Sequence, residues 1–165
     1  MFGLGKTERA MKQLRSALGI YIPGDRDTQQ AVISGSAKAT ADAIQDIADG
    51  VDPYQASAIL LARYIRKQIE EMPTDIRQRM LRIITNENAE SLPRLVKFTA
   101  HISLDLARLE TGDKPIIEPG TTGKFLDIVA EGFAPQENVR KRIAGYLYAC
   151  ATKLVAETSQ ARSRS

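Results

Sequence analysis

A chain of 165 residues, 43% hydrophobic and 26% charged, is the size of one domain and too apolar for wholesale disorder. A single cysteine excludes an intramolecular disulfide. No apolar run approaches the roughly 20 residues that span a bilayer, and no continuous apolar stretch near Met1 reads as a secretory signal, so a cytoplasmic protein is expected.

Aromatic residues make up only 5%, without tryptophan, so the core is aliphatic, a palette that suits packed helices better than a twisted sheet. The first helix is predicted from about Lys6 to Leu18, with Ala10, Leu14, Ala17 and Leu18 on one face and Gly19 as its stop. Asp27, three residues before Gln30, resembles a capping box that opens one long helix ending at Gly50. Asp52 and Pro53 form a cap followed by proline at the first helical position. The third helix then runs to Met72, with Ala58, Leu61, Ala62, Ile65, Ile69 and Met72 inward and Arg66–Glu70 and Lys67–Glu71 as outward ion pairs.

Beyond Pro73, a short fourth helix directs Ile76, Met80, Ile83 and Ile84 inward and Arg77, Arg79 and Arg82 outward. A fifth, opened by Ser91 and Pro93 and closed by Gly112, buries Leu92, Leu95, Val96, Thr99, Ile102, Leu106 and Leu109. Residues 113–120 read as a loop whose Ile116–Ile117 pair docks on the core. A sixth helix spans about Thr122 to Glu131. The seventh, from Pro135 to about Thr158, carries Val139, Ile143, Leu147, Cys150 and Leu154. The expected fold is all-α, a compact bundle of about seven helices forming one domain over residues 1–158, with a frayed polar tail at 159–165.

Shifting the chain against itself by 82 residues aligns 44–65 with 126–147 without a gap. Of those 22 positions five are identical: Ala48/Ala130, Gly50/Gly132, Pro53/Pro135, Ala62/Ala144 and Tyr64/Tyr146. Both segments describe one unit: a helix, a glycine able to take the left-handed conformation, an apolar residue folding back, and a proline that starts the next helix. An internal duplication with partial pseudo-twofold symmetry is the expectation.

No set of residues converges on a catalytic or cofactor chemistry. Gly3-Leu4-Gly5-Lys6-Thr7 and Gly120-Thr121-Thr122-Gly123-Lys124 echo a phosphate loop, but neither has the preceding strand and full glycine spacing that wrap a phosphate. His101 is the sole histidine, with Asp105 one turn on; a solvated surface histidine is the plainer reading. Cys150 lies on an apolar stripe and reads as a structural thiol. No metal or cofactor is expected, and the balance leans away from an enzyme. An enzyme would require a pocket lined by His101, Tyr64 or Tyr146.

Charge is uneven along the chain. Residues 1–24 carry four bases and one acid, a net +3, and residues 25–52 carry two bases and six acids, a net −4. The first segment is therefore a basic amphipathic helix, with Phe2, Leu4, Leu14, Leu18 and Tyr21 beside Arg9, Lys12 and Arg15 as candidate partner-binding residues, although packing of its apolar side on its own bundle is the plainer reading. The leading expectation is a non-enzymatic protein–protein interaction module, an adaptor or assembly component. The alternative partner is nucleic acid or an anionic membrane surface, met by that helix and by the clusters Arg77, Arg79, Arg82 and Arg140, Lys141, Arg142. Oligomerisation is compatible with the wide apolar stripes.

Overall fold

The apolar periodicity resolves into helices throughout the computed structural model, which describes residues 2–86 and 91–164, with side chains from 5 to 156 within those spans. In chain order the helices are α1 (Phe2–Tyr21), α2 (Arg26–Gly35), α3 (Ala37–Ala48), α4 (Pro53–Glu70), α5 (Thr74–Thr85), α6 (Arg94–Thr111), α7 (Thr121–Glu131) and α8 (Glu137–Arg164). No strand occurs among the described residues, and none of the helices is long and apolar enough to cross a membrane.

Among the described residues eight helices stand where seven are expected, because the second breaks. Ser36 is extended (φ −150°, ψ 112°), ends α2 and caps α3, its hydroxyl accepting from Ala39 N–H at 3.2 Å. Beside the break the Tyr64 ring lies so close to Gly35 that an added Cβ would approach its Cδ2 to 3.1 Å. The α2 cap is Asp25 rather than Asp27: its carboxylate accepts from Thr28 N–H at 3.0 Å. Gly19 does not stop α1, which continues to Tyr21. Burial of Tyr21 and Ile22 outweighs the roughly 1 kcal/mol that a mid-helix glycine costs. The chain turns instead at Pro23 and Gly24, the latter at φ +73°. At the other end, α8 continues to Arg164, past the expected stop near Thr158.

Helix α4 is the axis of the fold. Ala56, Ser57, Ala58, Leu60, Leu61, Ala62, Ile65 and Ile69 are all buried, which places apolar contact on nearly every side of it. It packs against α1, α2, α3, α6 and α7, while α6, α7 and α8 pack mutually and α5 lies on α8. Only long polar side chains leave its surface: Arg63 reaches Asp42 on α3 at 3.0 Å, and Arg66 reaches both Glu70 and Glu131. The expected Lys67–Glu71 pair does not form, because the Lys67 ammonium donates to the Gly35 carbonyl at 2.7 Å and so ties α4 to the end of α2. Ile76, expected inward, is exposed, as is Ile116; Ile117 alone docks on the core.

The two matched corners are built differently. Gly50 takes the left-handed conformation at φ +102° with open space around it. Gly132 is right-handed at φ −63°, and its role is proximity. A Cβ there would stand 3.0 Å from both the Arg66 carbonyl oxygen and Ile69 Cβ. The helices after the corners diverge too: Ala56, Ala58 and Leu60, buried in α4, align with Asn138, Arg140 and Arg142 in α8, where Asn138 and Arg142 are exposed. A two-fold relation would pair α3 with α8 as α4 pairs with α7, and of these two only α4–α7 is among the closely packed pairs.

Substitution of Gly132 by alanine is expected to destabilise the protein by about 1–3 kcal/mol, since the added methyl must part α4 from α7. Gly145→Ala, in α8 with nothing within 4 Å of its added Cβ, is expected to leave stability unchanged or raise it by up to about 1 kcal/mol. Urea denaturation of the two variants beside the parent checks both signs.

Candidate functional site

A large concave surface is assembled where α1 ends. After Tyr21, the Ile22 N–H still reaches the Leu18 carbonyl at 2.8 Å, and the Pro23–Gly24 turn then carries the chain into α2. This leaves Ile20 60% exposed on one wall beside Pro23. Helix α4 supplies Tyr64 and Gln68, one turn apart on one face, and Met72 follows just beyond the helix end at Glu70. Helix α6 supplies the facing wall with Arg94, Leu95, Phe98, His101 and Asp105. The groove holds about 810 Å³, in the range of sites that take a small molecule or the anchoring side chains of a peptide.

Its floor is fixed by Tyr21. The phenol donates to the Tyr54 carbonyl at 2.9 Å, and the two rings meet edge to face with centroids 6.3 Å apart. Burial, followed by the nearby Asp105 and Asp52 carboxylates, pushes the Tyr21 phenol well above its ordinary pKa, so it stays a neutral donor. At one end of the groove Asp25 accepts from the Thr28 hydroxyl at 2.5 Å and from its N–H. With the Arg94 charge nearby, these bonds hold the Asp25 carboxyl below its ordinary range. At the other end Asp105 is pushed upward by burial, against the weaker pull of Arg108 and His101. Arg108 comes only to 3.8 Å, beyond hydrogen-bond reach.

The candidate partner-binding residues divide. Leu14, Leu18 and Tyr21 are buried where α1 packs on α3 and α4, with Tyr21 also lining the groove. Arg9, Lys12 and Arg15 are exposed, and Arg15 donates to Gln30 at 3.2 Å. The side chains of Phe2 and Leu4 lie outside the described residues. His101 and Tyr64 do share the groove, whereas Tyr146 stands on α8 and does not line it. Cys150 is fully buried, its thiol 3.6 Å from the Ile84 carbonyl.

Both phosphate-loop echoes have structural explanations. Gly3 to Thr7 lie within α1. At Gly120–Lys124 the N-terminus of α7 already holds an anion, the Glu110 carboxylate at the end of α6. It accepts from Gly120 N–H, from Thr122 N–H at 3.1 Å and from the Thr122 hydroxyl at 2.6 Å. The place a phosphate would take is filled from within. Of the second basic cluster, Arg140 pairs with Asp127 at 2.9 Å and Lys141 with Glu137 at 3.0 Å. Among the described residues no three of His, Cys, Asp and Glu are grouped to hold a metal ion.

Comparison of the chain with protein-family models, with curated proteins and with solved structures found no match. The groove had no separate signal in the sequence: Phe98, three residues after Leu95 and four before Ile102, stands at the edge of the apolar stripe of α6, where periodicity reads it as core.

Burial opposes ionisation of Glu110, but the hydrogen bonds from Thr122 and Gly120 prevail and its pKa is lowered. A carboxylate with a depressed folded pKa stabilises fully above its unfolded value, and that contribution is lost as pH falls through the folded one. Glu110→Gln is therefore expected to lower stability by about 1 kcal/mol at neutral pH. Its deficit relative to the parent should shrink on acidification below the ordinary glutamate range, as thermal melts across pH would show.

Proposed function

We propose that this chain is a non-enzymatic protein-interaction module, an adaptor or assembly component, and that the groove between the end of α1, α4 and α6 receives an apolar segment of a partner protein. The observation that carries the reading is the exposure of Ile20 beside half-buried Met72, Leu95 and Phe98 on a wall of packed helices. Apolar side chains left open on a rigid frame supply the non-directional attraction of a helix-in-groove interface. The two walls, α4 and α6, are fixed by the core, so binding costs little reorganisation. His101 and Asp105 serve this reading as rim groups that set orientation rather than as an acid–base pair: no hydrogen bond joins them, and Tyr64 stands on the opposite wall. The shared corner pattern of α3–α4 and α7–α8 supports duplication of a helix–corner–helix unit, with the first copy specialised as the axis and groove wall. A cytoplasmic setting fits the single buried thiol.

Ile20→Asp is expected to abolish capture of partners from the native cell while leaving the circular dichroism spectrum and melting temperature unchanged, because Ile20 makes little core contact. Ile76→Asp, at an exposed apolar residue on α5 outside the groove, should keep them. Capture that survives Ile20→Asp but disappears on raising salt would transfer the function to the basic surface and to nucleic acid or anionic lipid.

A further inference from the structure

Resting on the docking reading, we infer that the groove selects a partner segment carrying a lysine or arginine among apolar residues, and that Asp105 receives that cation. The two ends of the groove hold their carboxylates differently. Asp25 is satisfied: two bonds from Thr28 and the neighbouring Arg94 charge meet its carboxylate. Asp105 is not. Its side chain is 41% exposed, it accepts no hydrogen bond from any described residue, and its nearest cation, Arg108 at 3.8 Å, is itself 77% exposed to water.

A partly exposed carboxylate held only by a loose, solvated ion pair keeps acceptor sites for a closer cation. An incoming ammonium or guanidinium fills them with charge-assisted bonds at the edge of the apolar walls. The interval from Arg94 to Asp105 is eleven residues, or about 16 Å of α6. That length accommodates about three turns of a partner helix, with Ile20, Leu95 and Phe98 taking the apolar face and Asp105 the cation at one end.

The test uses three fluorescein-labelled amphipathic peptides of leucine and alanine, each about three helical turns long. They differ at one terminal position, which is lysine, glutamine or glutamate. Anisotropy is measured at about pH 8, where an ordinary imidazole is neutral, and the resonances of His101 and Phe98 report occupancy of the groove. The lysine peptide is expected to bind about tenfold more tightly than the glutamine peptide, with glutamate weakest. Asp105→Asn should level the series. Arg108→Ala, which leaves the carboxylate in place, should preserve or widen the preference.

Equal binding of the lysine and glutamine peptides, or loss of the preference in Arg108→Ala, overturns the cation inference and leaves the docking reading standing. Failure of every peptide to shift the groove resonances sinks the docking reading itself. Resonances that move with protein concentration alone, together with dimers in sedimentation, would make the occupant a second copy and reject the partner segment.

Discussion

The structure depends on how closely α4 and α7 approach one another. A helix buried on nearly all sides needs a neighbour able to come within backbone contact somewhere along it, and Gly132 is where that occurs, against the Arg66 carbonyl and Ile69. Close approach raises packing density and excludes water, so Arg66 meets Glu131 beside the contact as a partly shielded pair rather than a fully solvated one. Once this contact is set, α1, α2 and α3 are arrayed on one side of α4, while α6 and α8 pack with α7. The groove is the gap left between the end of α1 and α6, with α4 as its floor-side wall.

Much of the architecture was legible because burial in helices leaves a periodic trace. The stripes of α1, α4 and α6 lie where their aliphatic residues recur, and Asp52–Pro53 marks the start of α4 because the capping carboxylate and the proline ring act locally. Where a residue's role depends on a distant neighbour, the sequence was mute or misleading. The extended Ser36 is stabilised by contacts of Gly35 with α4, through Tyr64 and Lys67, which no local rule contains. Gly19 looked like a terminus and is an interior residue, since the apolar residues after it have a core to enter. Gly50 and Gly132 match in sequence yet answer two different demands, one torsional and one steric. Ile76 kept helical periodicity but faces water.

The candidate site was less legible for the same reason. The basic first helix announced an amphipathic surface, and its apolar side turned out to be consumed by the core. The open apolar surface arises instead from residues scattered over three helices, each unremarkable in its own stretch of chain. His101 and Tyr64 come together across 37 positions of sequence because α4 and α6 pack side by side, while Tyr146, the formal counterpart of Tyr64, is carried away by the different setting of α8.

The Glu110 carboxylate joins the end of α6 to the start of α7 without help from the peptide segment between them. That segment is anchored again at Ile116, whose N–H meets the Leu109 carbonyl, and at Glu118, whose N–H meets the Gln55 side chain. Between these anchors Asp113 and Lys114 lie exposed. The two helix ends are thus held together by side-chain bonds as well as by the chain. The Asp113–Lys114 bond is accordingly the place to open the chain for a circular permutant, or to splice in a reporter domain, with the two flanking helices still held in register by a side chain.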